Sequence, residues 1–424
     1  MKPNEKLLSS QDAAAYLGIK VQTLYAYASR GLVKGLPGAR GQGRRYRRED
    51  LESLRARREG AAAQALRFGE PVLDTRITRM GARGPEYRGR LATELVQRDV
   101  SFEVVAELLW SGVLPAGPVR WPHDGAAPPW RELARLLPAG ASPLDALALT
   151  LPVLATADPM RFDAEPASVM ARARRLIPRL AAAVALVLDP RRAVAASATG
   201  DPARALAIAL GLPQARKTLQ LLRHALILAA DHELNTSTFA ARVAASTGAD
   251  LYACLSSAVG AFSGPLHGLA SEQVERLVRE AGSPEGAVVA VSERMRRGER
   301  LPGFGHPLYP DGDARVGPLL AQAVAYKPRA PRVRTLLALI DAMARAHRPK
   351  PNVDVALAAV CGALELPIGM GSAIFAIGRS AGWVAHVLEQ QATGQLLRPR
   401  ARFVGGATGT PPAGAAAVQP SASR

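Results

Sequence analysis

A run of small residues framed by two histidines constrains this chain more than any other stretch: DHELNTSTFAARVAASTGADLYACLSSAVGAFSGPLHG, from Asp231 to Gly268. Ala240, Val243, Ala244 and Thr247 recur at the 3/4 spacing of one helical face, and side chains this short let two helices pack closely. Gly264-Pro265 then ends the pattern and presents His267, with Gly268 expected to let backbone approach a ligand. A histidine alone is more often a core or surface residue than a functional one. Two later stretches of the same kind change that reading: LPGFGHPLYPDGDAR (Leu301–Arg315) and KPNVD (Lys350–Asp354). The histidines His232, His267 and His306, the Asp354 carboxylate and the loop arginine Arg315 mostly stand close to Gly or Pro. They read as a site assembled from separate loops.

The remaining composition favours helices. Apolar residues make up 48% of the chain but aromatics only 5%, so the cores are built mainly from Ala, Leu and Val. The 424 residues leave room for two or three domains. Cys254 and Cys361 sit in apolar contexts without metal spacing, which fits a reducing compartment and excludes a disulfide framework. The N-terminus has no apolar signal core, and no run of about twenty uncharged apolar residues occurs. The expectation is a soluble, cytoplasmic protein with no membrane partner. The net charge of +18 and isoelectric point near 10.7 point either to polyanion binding or simply to an arginine-rich composition.

Residues 1–60 read as a compact basic unit. Ser9-Ser10 caps a first helix that runs through Leu17 and turns Ala13, Ala14 and Leu17 inward. Gly18 supplies a tight turn, and a second helix follows from about Val21 to Arg30, ending at Gly31. Leu32-Val33 is expected as a short strand, and KGLPGARGQGRR (Lys34–Arg45) as a flexible basic wing. Tyr46 returns the chain, and Glu49-Asp50 suit the dipole at the start of a third helix. SSQDAAAYLGIKVQTLYAYASRGL and RRYRREDLESL resemble the winged helix-turn-helix of MerR- and excisionase-like proteins. That resemblance implies duplex DNA as a partner. Lys20, Gln22, Thr23 and Tyr25 would lead the second helix into the major groove, and Arg40, Arg44 and Arg45 would meet phosphates or the minor groove. The alternative is a packing or dimerisation module whose arginines are merely solvated.

Glu59–Arg67 reads as a short joint, and a second domain starts near Leu66. From Ser101 onward Phe102, Val105, Leu108 and Leu109 form a core-facing stripe. Ala116–Arg131 is Pro-rich and expected as a surface loop. Ala/Leu-rich helices then alternate with breaks as far as Ala230, and Arg172, Arg174, Arg175 and Arg179 read as a solvated face. No G-x-G-x-x-G follows a strand, which argues against a nucleotide-binding α/β fold. From Gly405 the tail is low in complexity and expected to be disordered.

Metal-ligand spacings are missing, and no G-x-S-x-G elbow surrounds Ser263. One carboxylate with two or three histidines suits proton abstraction next to a carbonyl, the carboxylate removing the proton while neutral donors stabilise the enolate oxygen. Arg315, Arg379 and Arg398 would fork onto a dicarboxylate.

GPLHGLA, GFGHPLYPDGDAR and PNVD resemble, in order, the catalytic blocks of citrate synthase. DHELNTST resembles its oxaloacetate-binding histidine block, and GRSAGWVAHVLEQ with RPRARFVG its C-terminal arginine blocks. The resemblance spans roughly residues 66–405. It implies an all-α fold with a large domain at 61–270, a small lid domain at 271–374 and a return of the chain at 375–404, ahead of the tail at 405–424. It also implies an acyltransferase that joins acetyl-CoA, a co-substrate rather than a cofactor, to oxaloacetate. By position Asp354 would be the base, His267 the donor to the thioester carbonyl, and His306 the group that polarises and protonates the ketone. His232, Arg315 and Arg379 would bind oxaloacetate, with Arg398 reaching across a homodimer into the neighbouring site. Leu266, Pro302, Gly303, Phe304, Gly305 and Lys350 would meet the coenzyme. Some positions depart from the family pattern: VALAAV follows Asp354, Ser271 stands where asparagine is usual, and His306 and Asp354 lie closer together than is common. The alternatives left open are 2-methylcitrate synthase using propionyl-CoA and a metabolite-sensing DNA-binding regulator.

Overall fold

The computed structural model describes residues 7–17, 19, 21–29, 33, 35–36, 44–48, 50–51, 73–124 and 127–399. Gly18, Lys20, Arg40, most of the wing, the joint at 59–67 and the tail from Gly405 lie outside the described residues. The chain divides into two units, Met1–Asp74 and Thr75–Arg424.

In the first unit β1 (Leu7–Ser9), α1 (Ser10–Leu17), α2 (Val21–Ser29), β2 (Gly35–Leu36) and β3 (Arg45–Arg47) form two helices beside an antiparallel sheet of order β1-β3-β2. Ser9 Oγ accepts the Asp12 N–H at 3.2 Å, the cap expected there. Ala13, Ala14, Leu17 and Leu24 close a small core with Val33, Tyr46 and Leu51. The expected strand at Leu32-Val33 lies further on. Gly35 and Leu36 pair with Tyr46 and Arg45 of β3, whereas Val33 is buried in the core.

The second unit opens with a three-stranded meander that the sequence reading missed: β4 (Thr78–Gly81), β5 (Gly84–Tyr87) and β6 (Arg90–Leu91). Helices follow in order: α3 (Ala92–Gln97), α4 (Phe102–Ser111), α5 (Trp130–Leu136), α6 (Pro143–Thr156), α7 (Pro166–Ala183), α8 (Arg191–Ser197), α9 (Pro202–Ala209) and α10 (Arg216–Ala229). They continue as α11 (Thr236–Ser246), α12 (Leu251–Phe262), α13 (Ala270–Ala281), α14 (Pro284–Arg296), α15 (Val316–Tyr326), α16 (Pro331–Arg345), α17 (Val353–Ala363) and α18 (Met370–Thr393). Many start on side-chain caps written into the sequence: Ser101, Ser142, Asp201, Asn235, Asp250, Ser283 and Asn352 each accept a first-turn N–H. No helix among the described residues is long and apolar enough to cross a membrane.

The axis of this unit is α18. Every residue from Met370 to Val387 is buried, and α4, α7, α10, α11, α12 and α17 pack around it. A helix buried on all sides belongs in the middle of a bundle. The return point expected at residue 375 falls inside this helix, which runs unbroken from Met370.

Two readings need correction. The buried face of α11 is Ser237, Thr238, Ala241, Arg242 and Ala245, while Ala240, Val243 and Ala244 are half-buried and Thr247 is exposed. The inward face tolerates polar residues because they are paired: Arg242 Nε donates to Gln390 Oε1 at 2.9 Å and its Nη1 to Glu389 Oε2 at 3.0 Å. The arginines of α7 are not a solvated face. Arg172 is buried against Asp158 at 2.7 Å, Arg174 meets Glu107 at 2.7 Å and Arg175 meets Asp124 at 3.0 Å. The Pro-rich stretch is largely an exposed loop as expected, pinned by Trp121, which is buried, stacks on Trp110 at 5.4 Å and donates to Glu107 at 3.1 Å.

Candidate active site

The two stretches Leu301–Arg315 and Lys350–Asp354 form one platform. Gly305 N–H donates to Lys350 O at 2.8 Å, Asn352 N–H to Gly303 O at 2.8 Å, and Asn352 Nδ2 to Gly305 O at 3.2 Å. Asp313 completes the tie by accepting the Val353 N–H at 3.1 Å. Because Asn352 caps α17 by accepting the Asp354 N–H at 3.0 Å, Asp354 is held in the helix's first turn. Its Oδ1 accepts the Ser271 hydroxyl at 2.6 Å. Burial pushes this carboxyl up to about 6, and the Ser271 hydrogen bond and the Arg315 charge only partly oppose that. A carboxylate with this affinity for protons is suited to act as a general base near neutral pH.

His232 and His306 come together. Their rings lie edge to face at 5.1 Å, and Tyr309 lies 4.9 Å from the His306 ring while its hydroxyl sits 3.0 Å from His232 Nε2. Burial, then Arg315 and Arg379, drive the His232 pKa well down. His306 is lowered too, by burial and Arg315 against the opposing pull of Asp313. Its Nδ1 accepts the Leu308 N–H at 3.1 Å, so the neutral ring carries its hydrogen on Nε2 and presents a donor there.

His267 stands after the turn that ends α12. Its Nε2 lies 2.8 Å from Ser237 Oγ, and burial with Arg379 pushes its pKa down to about 4. Ser237 is also within reach of Asn235 Oδ1 at 2.8 Å and receives Trp383 Nε1–H at 3.2 Å. A single hydroxyl hydrogen cannot serve both Asn235 and His267. Donated to His267, it leaves the neutral imidazole with its hydrogen on Nδ1. At Gly268 packing within the chain itself calls for glycine. A Cβ there would lie 2.1 Å from Phe262 Cε1, so its bareness is what lets the His267 turn close over the Phe262 ring.

Two buried guanidiniums supply the positive field. Arg315 donates through Nε and Nη2 to Asp313 at 2.9 and 2.7 Å, while its Nη1 has no partner. Burial opposes its charge, but the Asp313 carboxylate more than offsets this and raises its pKa. Arg379 donates from Nε to Ala229 O at 2.8 Å and leaves Nη2 without a partner. Burial lowers its pKa to about 10, with Asp231 opposing. Unfilled donors on buried cations suit a carboxylate ligand.

Beside His306 lies a cavity of about 590 Å³ lined by Arg300, Leu301, Phe304, Gly305, Arg348 and Pro349 among others. Of the remaining candidates, Gly303 is buried, Pro302 is half-buried, and Leu266 and Lys350 are exposed outside that lining. Arg398 lies exposed beyond the end of α18 and does not join the cluster within one chain. On α2, Gln22 and Tyr25 are exposed and Thr23 is half-buried; Arg44 is exposed and Arg45 half-buried at β3. Sequence reasoning did not single out Tyr309, Asp313 or Ser237. Tyr309 and Asp313 stand inside a stretch quoted for His306 and Ser237 inside DHELNTST, quoted for His232, but only the fold sets Ser237 beside His267.

A family model described as the C-terminal domain of citrate synthase matches residues 67–400, and a helix-turn-helix domain model matches residues 7–59. Citrate synthase of Haloferax volcanii is 32% identical over 334 residues, 74% of this chain and 87% of that protein. The 2-methylcitrate synthase of Mycobacterium tuberculosis is 32% identical over 337 residues, 75% of this chain and 84% of its own length. Among solved structures, citrate synthase of Thermotoga maritima covers 80% of this chain and 95% of itself at 26% identity, with a TM-score of 0.66. Citrate synthase of Thermoplasma acidophilum, in a ternary complex with carboxymethyl coenzyme A and oxaloacetate, shares the fold at a TM-score of 0.70 and 23% identity, covering 81% of this chain and 96% of its own. With a model covering most of the second unit and relatives matched along most of their length, the chain belongs to the citrate synthase family, acyl-transferring enzymes, and carries a helix-turn-helix domain at its N-terminus.

Proposed function

We propose that this protein condenses acetyl-CoA with oxaloacetate and hydrolyses the resulting citryl thioester to citrate and CoA. The observation that carries the reading is Asp354, a buried carboxylate pushed up to about 6 on the same platform that holds His306 and Arg315. Arg315 and Arg379 bind the oxaloacetate carboxylates through their unfilled nitrogens, with His232 beside them. Asp354 removes a proton from the acetyl methyl group, and a hydrogen on His267 Nδ1 meets the thioester oxygen as the enol forms. The enol carbon attacks the ketone carbon, and His306 Nε2–H delivers its proton to the ketone oxygen. Water then cleaves the thioester.

The cavity beside His306 suits the coenzyme. Phe304 and Gly305 line it, and Arg300 and Arg348 place positive charge where phosphates would lie. Pro302, Gly303, Leu266 and Lys350 complete the contacts once the small domain, residues 271–374, closes over the site and excludes water. The active unit is a homodimer in which Arg398 of each copy completes the other's site. The half-buried or exposed small residues Ala240, Val243, Ala244, Ala253, Ser257 and Gly260 of α11 and α12 support it, since they leave a smooth face for a second helix pair.

Propionyl-CoA is the second reading, favoured by relatives named 2-methylcitrate synthase. One methylene changes binding by about 1–3 kcal/mol. The N-terminal unit binds duplex DNA through α2, where Gln22 and Tyr25 are exposed, and through Arg44 and Arg45. Thiol release with oxaloacetate and either acyl-CoA separates these enzyme readings from a regulator: release supports catalysis, and none with either thioester supports a sensor.

A further inference from the structure

Below Arg379, two buried ionisable side chains face each other without a formed hydrogen bond. Neither oxygen of Asp231 and neither ring nitrogen of His386 has a partner, and both side chains are fully buried. Asp231 Oδ2 lies 3.5 Å from His386 Nε2, longer than a well-formed N–H···O bond. The arrangement comes from one face of α18, on which Arg379, Gly382 and His386 follow at helical spacing. Gly382 makes the niche. A Cβ there would lie 2.2 Å from Asp231 Oδ1, and the glycine N–H donates to Ala230 O at 2.9 Å. The carboxylate therefore occupies the space of a missing side chain, with the guanidinium one turn before it and the imidazole one turn after.

The other groups near Asp231 bring no competing negative charge. Thr78 of β4 and Tyr87 of β5 are neutral, the Tyr87 hydroxyl meeting the Asp231 carbonyl at 3.3 Å. A carboxylate held this deep needs a cation to stay charged. The His386 imidazole and then Arg379 hold this carboxyl below its usual range against burial, and Asp231 in turn favours the guanidinium's charge against the burial that works to neutralise it.

We propose that Asp231 and His386 are positioning residues for Arg379: the carboxylate in the Gly382 niche holds the guanidinium charged and in place for a substrate carboxylate, and the imidazole secures that carboxylate. The inference rests on the reading of Arg379 as an oxaloacetate ligand. It adds a residue, His386, that touches none of the reacting groups.

The test measures KM for oxaloacetate and for acetyl-CoA in the full-length protein and in His386→Ala, His386→Gln and Asp231→Asn. His386→Ala and Asp231→Asn should each raise the oxaloacetate KM tenfold or more and leave the acetyl-CoA KM within twofold. His386→Gln, which offers an amide N–H to the carboxylate, should recover most of the loss. An unchanged oxaloacetate KM in His386→Ala overturns the proposal. So does an equal rise in both constants with a lowered Tm and no recovery by Gln, the signature of a merely structural role. Should His386→Ala not fold, Asp231→Asn, which preserves shape, decides alone by the same criterion. Calorimetric titration with oxaloacetate keeps this inference separate from the catalytic one. If the parent protein releases no CoA, the catalytic reading fails, yet a tenfold weaker oxaloacetate Kd in the variants still supports the positioning role and an equal Kd overturns it.

Discussion

At the scale of single residues, the proposed condensation turns on Asp354 as its base. Its carboxyl is pushed up to about 6 by burial, and a base must be ionised to act. The kcat/KM for condensation should therefore fall as pH drops through about 6 and level off above it. Asp354→Asn should lower turnover by about 10²–10⁴-fold, the usual reach of a general base, with oxaloacetate affinity largely kept. Parallel loss of oxaloacetate binding in calorimetry would assign Asp354 a structural role instead. The candidate positions His267, His306 and Asp354 could be picked out in the sequence because each stands in a compact block that also holds Gly or Pro. Their supports were not. Ser237 beside His267, and Asp231 beside His386, are pairs made by helix packing between residues far apart in the chain; the blocks DHELNTST and GRSAGWVAHVLEQ hold three of these residues but do not show the pairing.

At the scale of elements, caps and breaks predicted helices well, whereas inward faces depended on partners that the pattern does not show. The 3/4 stripe of α11 was assigned one step from the buried face because Ser237 and Arg242 are polar and yet satisfied inside. The N-terminus of α18 rests on one side chain: Glu275 of α13 accepts the N–H groups of Gly369 and Gly371, each at 3.0 Å. Ser372 adds a bond from that helix to Gly268 O at 2.7 Å, so the start of α18 is tied to the His267 turn. Glu275→Ala leaves two buried N–H groups unmatched and should destabilise the fold by about 2–6 kcal/mol, at about 1–3 kcal/mol for each unmatched group. Urea titration of both proteins measures this, and a change below about 0.5 kcal/mol would show that α18 is anchored elsewhere. Burial raises the Glu275 pKa to about 7, so the folded protein holds this proton more tightly than the unfolded chain does. Its contribution to stability is therefore greatest at low pH and declines as pH rises from about 4.5 to about 7.

On the scale of the whole molecule, the helical body and the N-terminal unit were legible because each carries its own blocks, while the β4–β6 meander was hidden in a short stretch without alternation. Two expectations belong here. Mixed dimers of Arg398→Ala with His306→Ala should recover part of the lost activity, because one site of the hybrid holds both intact groups. Continued inactivity after verified subunit exchange would contradict the shared site. Binding of the full-length protein to duplex DNA should weaken steeply with salt, with a log–log slope of about −0.9 per phosphate contacted, and deletion of residues 1–60 should abolish it. Salt-independent binding, or binding that survives the deletion, would remove the N-terminal unit from that role. The central claim is the condensation itself, and CoA release tests it most directly. With oxaloacetate and acetyl-CoA or propionyl-CoA, the parent protein should liberate free thiol only when both substrates are present, and Asp354→Asn should not. Thiol release at background rate with both thioesters, or release that is unchanged in Asp354→Asn, would contradict the account.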